Sequence, residues 1–312
     1  MAQYSFLSKE EINEKAIEFD LGKVQNFKVL SGGSENTNYI ISTKKGKFVL
    51  SICEQKSLEE TLELARLLHY LSDNSFKTSR IVSNKSGKLT TICKGKPAMI
   101  KIYEEGKVFE SLPNVLIESL GKELGRLHKI EAPNFLPKQL NYGKENFRAV
   151  EKYAKGSEFD YWLKAKYKFF IPYINSDLKK TIIHGDVFSN NVVVNDDEKS
   201  LTIIDFEEAT FYYRVFDLGM TIIGTCHEGK TINLNKVQHL LSGYSQEVSL
   251  SNDELDSLKA FTVYAGASMT FWRHMNFNYT TPNSSLFDHY KGLQILTDFV
   301  HNLPEESFKF KT

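Results

Sequence analysis

The chain has 312 residues, of which 41% are hydrophobic, and its 39 Lys and Arg residues are balanced by 39 Asp and Glu residues. A chain of this length exceeds the usual size of one hydrophobic core, so we expect two lobes. The zero formal charge argues against a global field that attracts nucleic acid or a membrane surface, and favours a small-molecule substrate.

The cysteines and the first residues also limit the class of protein. Cys53, Cys93 and Cys226 are too widely spaced for a disulfide framework or a zinc site, so we expect reduced core thiols. The chain begins without a basic segment followed by an apolar one, and it contains no run of apolar residues long enough to span a membrane. We therefore expect a cytoplasmic protein, either a monomer or a homodimer.

The first hundred residues combine capped helices with strands. Ser8 with Glu11, and Ser57 with Glu60, form capping boxes, and an apolar stripe at helical spacing follows each one. Strand signals bounded by turn residues cover 27–30, 38–42, 48–53, 79–82, 88–93 and 97–103. We expect an antiparallel sheet crossed by a helix, with a hinge at 104–106.

A glycine-containing connector, SGGSENT, joins the first two of these strands. Its backbone N–H groups could fold over phosphates, because glycine permits close approach and unusual dihedral angles. A plain hairpin turn is the alternative interpretation of the loop by itself. We expect nucleotide contacts from Gly32, Gly33, Ser34 and Asn36, and residues 1–104 to form a nucleotide-binding lobe.

The pattern becomes helical almost throughout after Pro113. Helical periodicity predicts segments at 115–130, 157–173, 215–226, 234–244, 253–275 and 284–303, with a break in the fifth. The strong strand signals in this half belong to one central hairpin. The predicted fold class is α+β, in which residues 105–312 form a mainly helical catalytic and substrate-binding lobe.

The central hairpin lies in TIIHGDVFSNNVVVNDDEKSLTIIDFEE, residues 181–208. Two β-rich runs, 192–195 and 201–204, flank the polar connector 196–199. If the runs pair antiparallel, Asn191 before the first and Asp205 after the second lie at the same end. His184 and Asp186 reach that end on the preceding loop.

The side chains at this end suit metal-assisted phosphoryl transfer. A carboxylate and an amide oxygen are ligands that Mg²⁺ prefers, so we expect Asn191 and Asp205 to bind the metal. In kinase-type enzymes the catalytic-loop Asp accepts the proton of the acceptor hydroxyl, the role expected here for Asp186. His184 is expected to orient the loop. The alternative is a polar loop on an unrelated α/β domain.

These segments resemble a known family. HGDVFSNN, IIDFEEA and RVFDLG are similar to the signature of the aminoglycoside phosphotransferase and choline kinase superfamily, which has a bilobal protein-kinase-like fold. GGSENTNYIISTKKGKFVLSICE and LGKELGRLH most resemble kinase-like (type II) homoserine kinases. The resemblance covers nearly the whole chain. It implies ATP and Mg²⁺ as cofactors, and it implies that Asp217 holds the catalytic loop through backbone donors.

Ser51 departs from the superfamily pattern. Many members carry a strand lysine there that pairs with the nucleotide phosphates, and a neutral hydroxyl cannot neutralise that charge. The resemblance implies that the homoserine-kinase-like group also lacks this lysine, so we interpret Ser51 as a nucleotide contact typical of the subgroup. Lys47 and Lys101 are the alternative candidates for a cation that faces the nucleotide phosphates. A catalytically inactive nucleotide-binding protein is the second functional hypothesis.

Homoserine or a similar amino alcohol is the acceptor that the resemblance favours. Its carboxylate needs a cation, for which Arg214 and Arg273 are candidates, and its ammonium needs an acid such as Glu207 or Glu208. Choline or ethanolamine is second, since its recognition needs an aromatic cage, and an aminoglycoside, which needs an acidic cleft, is third. Candidates for the cage are Tyr264, Phe271, Trp272, Phe277 and Tyr279.

Overall fold

The computed structural model describes residues 5–30, 36–175, 177–195 and 200–310. The chain divides into two compact units, Met1–Glu105 and Gly106–Thr312. Within the described residues, no helix has the length and apolar character needed to cross a membrane. Each of the three cysteines is a buried thiol, as expected.

The described residues of the first unit form one antiparallel sheet and two helices. The strands follow the order β1-β2-β3-β6-β4, and β5 also pairs with β6. The elements are α1 (Lys9–Glu18), β1 (Val24–Val29), β2 (Asn36–Thr43), β3 (Gly46–Cys53), α2 (Leu58–Asp73), β4 (Ile81–Val82), β5 (Thr90–Cys93) and β6 (Lys96–Ile102). Both predicted capping boxes are present, and the predicted meander is confirmed by the β1–β2–β3 pairing.

Strand β3 shows how the sheet is stabilised and how it orients its side chains. Phe48, Leu50 and Ile52 belong to the core cluster that also contains Ile12 of α1. Burying an apolar side chain of this size contributes roughly 1.5–3 kcal/mol. Because side chains alternate along a strand, Ser51 lies on the opposite face from this cluster.

The second unit is mainly helical, and the α+β fold class is confirmed. Its helices are α3 (Asn114–Lys129), α4 (Val150–Tyr153), α5 (Glu158–Phe170), α6 (Arg214–Thr225), α7 (Leu234–Ser245), α8 (Asn252–Met275) and α9 (His289–Asn302). Shorter 3-10 turns cover Lys144–Ala149, Ile171–Tyr173, Ser189–Asn191 and Glu305–Phe308, and a π-helix covers Asn276–Thr280. The strands are β7 (Lys107–Val108), β8 (Lys180–Ile183), β9 (Val192–Val194), β10 (Leu201–Ile203), β11 (Thr210–Tyr213), β12 (His227–Glu228) and β13 (Thr231–Ile232).

Helix α8 corrects one prediction. It runs without a break from Asn252 to Met275, so the break expected in this segment is wrong. Gly266 does not interrupt it, because the absence of a side chain allows close contact with α9: a Cβ atom there would lie 2.3 Å from Thr297 Oγ1. The cost of a glycine within a helix, about 1 kcal/mol, is offset by this close contact.

The second unit also contains more strand pairing than its sequence indicated. Besides the central hairpin, β8 pairs with β11, β12 pairs with β13, and β7 joins β9. The strong strand signals of this half indicated only the hairpin and missed these further pairings. These strands have two to four residues each, too short to show a clear period of two.

Candidate active site

The central hairpin forms with the predicted pairing. Strands β9 and β10 are antiparallel, with Val192 opposite Ile203. The backbone N–H of Ile204 donates to the carbonyl of Asn191 at 2.9 Å, which extends the ladder by one bond. Asn191 and Asp205 therefore lie at the same end of the hairpin. The polar connector 196–199 falls outside the described residues.

The side chain of Asn191 is bonded to Asp186. Its Nδ2 donates to the Asp186 carbonyl at 2.8 Å and to the Asp186 carboxylate Oδ2 at 3.0 Å. Asn191 is buried, whereas Asp186 is half-buried. With the amide nitrogen directed at Asp186, the Oδ1 atom of Asn191, which accepts from Asn190 Nδ2 at 3.3 Å, is the one that can face a cation.

Asp205 follows β10 in an unusual backbone conformation. Its φ is 70°, in the left-handed region where Asp is one of the few side chains that are tolerated. The residue is exposed, whereas the next residue, Phe206, is buried and contacts the ring of His184 with 4.6 Å between the ring centroids. The turn therefore places an exposed carboxylate and a buried aromatic ring on consecutive residues, Asp205 and Phe206. Asn191 Oδ1 and the Asp205 carboxylate are oxygen atoms of the kind that Mg²⁺ binds in proteins.

The loop that carries Asp186 is held by Asp217 of α6. The backbone N–H groups of His184 and Gly185 donate to the two oxygens of the Asp217 carboxylate, each at 2.8 Å. Asp217 is completely buried, and burial raises a carboxyl pKa. The hydrogen bond from His128 and the other donors outweigh burial, so the pKa of Asp217 is lowered and the group is ionised.

His184 bonds at both ring nitrogens. Its Nε2 lies 2.9 Å from the carbonyl of Ile204, and its Nδ1 accepts the Asp186 N–H at 3.1 Å. Burial lowers the pKa of this imidazole below its ordinary value, although the charge of Asp217 acts in the opposite direction. A neutral ring with its proton on Nε2 satisfies both bonds, so the contacts of His184 connect the loop to the end of β10.

Position 185 of this loop can accommodate only a glycine. Its φ is +83°, and a Cβ atom there would lie 2.8 Å from both the Glu208 carbonyl and Tyr142 Oη. The Tyr142 hydroxyl donates to the Gly185 carbonyl at 2.5 Å. Burial, with the nearby charge of Glu208, raises the pKa of Tyr142 well above its ordinary value, so the phenol remains a donor.

Two residues that support Asp217 were not predicted from the sequence. His128 Nε2 lies 3.1 Å from Asp217 Oδ2, and His128 Nδ1 lies 2.8 Å from the Tyr244 hydroxyl. Because the ionised Asp217 accepts, His128 carries a proton on Nε2, and its Nδ1 is hydrogen-bonded to the Tyr244 hydroxyl. His128 ends the LGKELGRLH segment, but nothing in its local spacing indicates a contact with Asp217.

Arg273 is the predicted acceptor-binding cation that lies near Asp186. Its guanidinium is 5.2 Å from the ring centroid of Phe188, two residues after Asp186. Burial lowers the pKa of Arg273 to about 10, and the charge of Asp186 acts in the opposite direction, so the group is cationic at neutral pH. Its Nη1 lies 3.3 Å from His289 Nε2.

The structure does not support Arg214 as an acceptor contact. Its Nε and Nη2 donate to the two carboxylate oxygens of Glu254 at 2.5 and 2.6 Å, and Nη2 also reaches the carbonyl of Ser249 at 3.0 Å. Arg214 is 6% exposed and Glu254 is 1% exposed. The pair therefore joins the start of α6 to the first turn of α8 inside the core.

The candidate aromatic cage is also mostly core. Tyr264 and Phe271 are completely buried and Phe277 is 7% exposed, because α8 is covered on nearly every side. Trp272 is half-buried and contacts Phe277 edge-on at 5.5 Å between ring centroids. Glu207 and Glu208, the candidate acids, are both half-buried.

The candidate nucleotide contacts belong to the first unit. Gly32, Gly33 and Ser34 fall outside the described residues, whereas Asn36 begins β2 opposite Cys53. Ser51 is 1% exposed, and its hydroxyl has no hydrogen-bond partner within the described ranges.

The two alternative cations differ in their surroundings. Lys47 pairs with Glu105 at 2.9 Å and lies 5.6 Å from the centroid of the Tyr103 ring. Lys101 lies on β6 opposite Val49 and is half-buried. The charge of Lys47 is therefore already balanced by a neighbouring carboxylate.

Comparison with known proteins agrees with the motifs. A profile of the APH family, described as a phosphotransferase enzyme family, matches residues 26–247. A homoserine kinase from Rhodopseudomonas palustris (strain BisB18) is 28% identical over 281 residues, which cover 87% of this chain and 85% of that enzyme.

Two solved structures show the same fold. The amicoumacin kinase hAmiN in complex with AMP-PNP, Ca²⁺ and Ami has a TM-score of 0.71 at 15% identity, covering 96% of this chain and 95% of that one. A choline/ethanolamine kinase family protein from Mesorhizobium loti has a TM-score of 0.71 at 14% identity, covering 96% and 98%. The expected kinase-like fold is confirmed. Since the family profile covers more than half of the sequence, the chain belongs to the APH phosphotransferase enzyme family as a small-molecule kinase.

Proposed function

We propose that this protein transfers the γ-phosphate of ATP to the hydroxyl of a small molecule, with Mg²⁺ as the metal, and that homoserine or a similar amino alcohol is the acceptor. The observation that carries the proposal is the contact of Asn191 with Asp186 at the hairpin end that also holds Asp205. One residue is suited to accept a proton, and the other two are suited to hold a cation.

Asp186 is the proposed base. Its carboxylate accepts the proton of the acceptor hydroxyl while that oxygen forms a bond to the γ-phosphorus. The bond between the γ-phosphorus and the bridging oxygen breaks, and ADP leaves with the electron pair. The hydrogen bond from Asn191 Nδ2 holds the carboxylate in place, and the Asp217 contacts hold the loop beneath it. A positioned base of this kind contributes about 10²- to 10⁴-fold to the rate.

Asn191 and Asp205 are the proposed Mg²⁺ ligands. Their oxygens fit a small hard cation that takes few protein ligands and keeps several waters and phosphate oxygens. When bound, the metal offsets the negative charge of the transferred phosphate. Glu207, two residues after Asp205, is a further candidate for the metal or the acceptor.

Nucleotide contacts are proposed for the first unit. Gly32, Gly33 and Ser34 would contribute backbone donors, and Asn36 and Ser51 would contribute side chains. The unpartnered, buried Ser51 hydroxyl supports this, because a buried polar group without a partner is uncommon. The AMP-PNP and Ca²⁺ named for the structurally similar amicoumacin kinase are consistent with a nucleotide and a divalent cation here.

Homoserine is supported as the acceptor by the named relative and by Arg273. That relative spans 87% of this chain, and Arg273 supplies a cation for a carboxylate near Asp186. Choline or ethanolamine is the second candidate, favoured by the Mesorhizobium loti structure, but neither has a carboxylate for Arg273. The expected cage residues are mostly buried within the core, which also weakens that alternative.

The direct test is a coupled assay of ADP release by the purified chain with MgATP. Homoserine, choline, ethanolamine, hydroxylysine and an aminoglycoside are compared over a range of concentrations, with Asp186→Asn as the inactive control. Saturable turnover with homoserine supports the proposal. Turnover with choline or an aminoglycoside and none with homoserine refutes the acceptor assignment. Nucleotide binding without turnover of any acceptor supports the inactive-protein hypothesis.

A further inference from the structure

Three buried polar atoms beside the end of α8 have no hydrogen-bond partner within the described part of the chain. They are Tyr153 Oη, His274 Nδ1 and Asn278 Oδ1. Such atoms are rare in folded proteins, because burying an unpaired polar group costs about 1–3 kcal/mol. His274 is only 6% exposed, so bulk solvent does not compensate it. A group of three in one region indicates a missing polar partner.

Two of the three residues are in contact, and the third lies one helical turn further along the chain. The ring centroids of Tyr153 and His274 are 5.8 Å apart. His274 and Asn278 are four residues apart where α8 passes into the π-helix Asn276–Thr280, so they share a helix face. Short π-helices are uncommon and occur frequently at functional sites.

Aromatic rings pack against Tyr153 and His274. Phe159 stacks on His274 at 3.6 Å between centroids, Tyr290 contacts His274 edge-on at 4.7 Å, and Tyr279 lies 4.4 Å from Tyr153. Tyr279 is 46% exposed, so it is the ring on the solvent side of the cluster. The enclosure combines oxygen and nitrogen acceptors with the faces of aromatic rings.

The protonation states favour a cationic ligand. Burial lowers the pKa of His274 to about 4, so its imidazole is neutral near pH 7 and one ring nitrogen can accept. Burial raises the pKa of Tyr153, whose hydroxyl stays protonated and can also accept. Acceptors beside aromatic faces bind an ammonium group through hydrogen bonds and cation–π attraction.

The position along the chain connects this cluster to the acceptor. Arg273, which immediately precedes His274, has its guanidinium over Phe188 and interacts with the charge of Asp186. A zwitterionic amino alcohol needs a cation for its carboxylate and acceptors for its ammonium, and this end of α8 carries candidates for both functions.

We infer that Tyr153, His274 and Asn278, which we name the amine subsite, bind the ammonium group of the phosphate acceptor. This inference rests on the proposed function, and it assigns the ammonium to neutral acceptors instead of Glu207. The subsite therefore selects acceptors that carry a primary amine in addition to the hydroxyl group.

The test uses homoserine and two analogues that each lack one charged group. γ-Hydroxybutyrate lacks the ammonium, and propanolamine lacks the carboxylate. We measure kcat/KM for each with the wild type, Tyr153→Phe, Asn278→Leu and Glu207→Gln, with Tyr161→Phe on the exposed side of α5 as the matched control. The preference for homoserine over γ-hydroxybutyrate should fall at least about tenfold in Tyr153→Phe and Asn278→Leu, the loss expected for a hydrogen bond to a charged group. It should be unchanged in Tyr161→Phe.

Other outcomes overturn the inference. An unchanged preference in both subsite variants, with a lower melting temperature for Tyr153→Phe, means that the three atoms serve the fold through buried water. Loss of the preference in Glu207→Gln alone assigns the ammonium to that carboxylate. Calorimetric titration of homoserine and propanolamine is performed in parallel, so the subsite is tested even if no acceptor is phosphorylated. Weaker binding in the subsite variants then supports the inference while the proposed reaction fails. Absence of binding to the wild type refutes both.

Discussion

The amide nitrogen of Asn191 donates to both the carbonyl and the carboxylate of Asp186, at 2.8 and 3.0 Å. One side chain thereby fixes the position of the proposed base, while its Oδ1 atom is directed elsewhere. The proposed base and the proposed metal ligand are therefore hydrogen-bonded to each other. Substitutions in this pair should affect phosphate transfer more than folding.

Replacing Asp186 by Asn should lower kcat by at least about 10²-fold, because the amide cannot accept the hydroxyl proton. ATP affinity should persist, since the change leaves the proposed metal ligands in place. Steady-state kinetics and nucleotide titration measure the two effects. Asp253→Asn, at an exposed aspartate of α8, is the matched control and should behave as the wild type. Full activity of Asp186→Asn would show that Asp186 is not the base.

Asp205→Asn should weaken the binding of MgATP while leaving the fold unchanged. Asn tolerates the left-handed backbone at φ 70° as Asp does, so the substitution removes charge without adding strain. Asp205→Ala should lose the same affinity and also some stability, about 1 kcal/mol, because alanine is unfavourable in that region. Titration of MgATP and urea unfolding separate these effects. Unchanged affinity in both variants contradicts the metal assignment.

Arg273→Met should raise the KM for homoserine at least about tenfold with a smaller change for propanolamine, because a charged hydrogen bond to the carboxylate is lost. Arg214→Met is the informative comparison. It should leave Glu254 buried without a partner and lower the free energy of unfolding by about 3–5 kcal/mol, with little effect on the acceptor KM of the folded fraction. A higher homoserine KM in Arg214→Met, with an unchanged KM in Arg273→Met, would restore Arg214 as the acceptor contact.

His128→Leu should lower kcat more than it changes the acceptor KM. The substitution removes the donor behind Asp217 and leaves Tyr244 without its acceptor, which costs about 1–3 kcal/mol of stability. The loop bonds from His184 and Gly185 then act on a less firmly held carboxylate. His69→Leu, at an exposed histidine of α2, is the control. Equal effects of both variants on kcat would remove His128 from the support of the loop.

Asp217 should make folding stability depend on pH in the acid range. Its folded pKa lies below its ordinary value of 3.8, so its contribution is complete above that value and is lost as the pH falls through the folded pKa. In Asp217→Asn this contribution is absent at every pH, and the slope of stability below about pH 4 should be shallower. Urea midpoints of the wild type and the variant, measured across that pH range, test this prediction. An identical slope in the variant would mean that Asp217 does not titrate on unfolding.

Local sequence determined much of this protein. The capping boxes of α1 and α2 form as predicted, because their donors and acceptors are three residues apart. The hairpin places Asn191 and Asp205 together, because antiparallel pairing follows from two β-rich runs and a short polar connector. These features depend on neighbours in the chain, whose geometry the residue pattern already contains.

Tertiary packing decided which long-range partners these residues found. His128 meets Asp217 across 89 residues, and Arg214 meets Glu254 across 40, so no spacing rule relates them. Arg214 and Arg273 look equivalent as candidate cations in the sequence, yet one is neutralised within the core and the other lies near Asp186. The amine subsite likewise requires α4, α8 and its π-helix to come together. Burial and partner choice depend on how the helices pack, and that information appears only when the whole chain is folded.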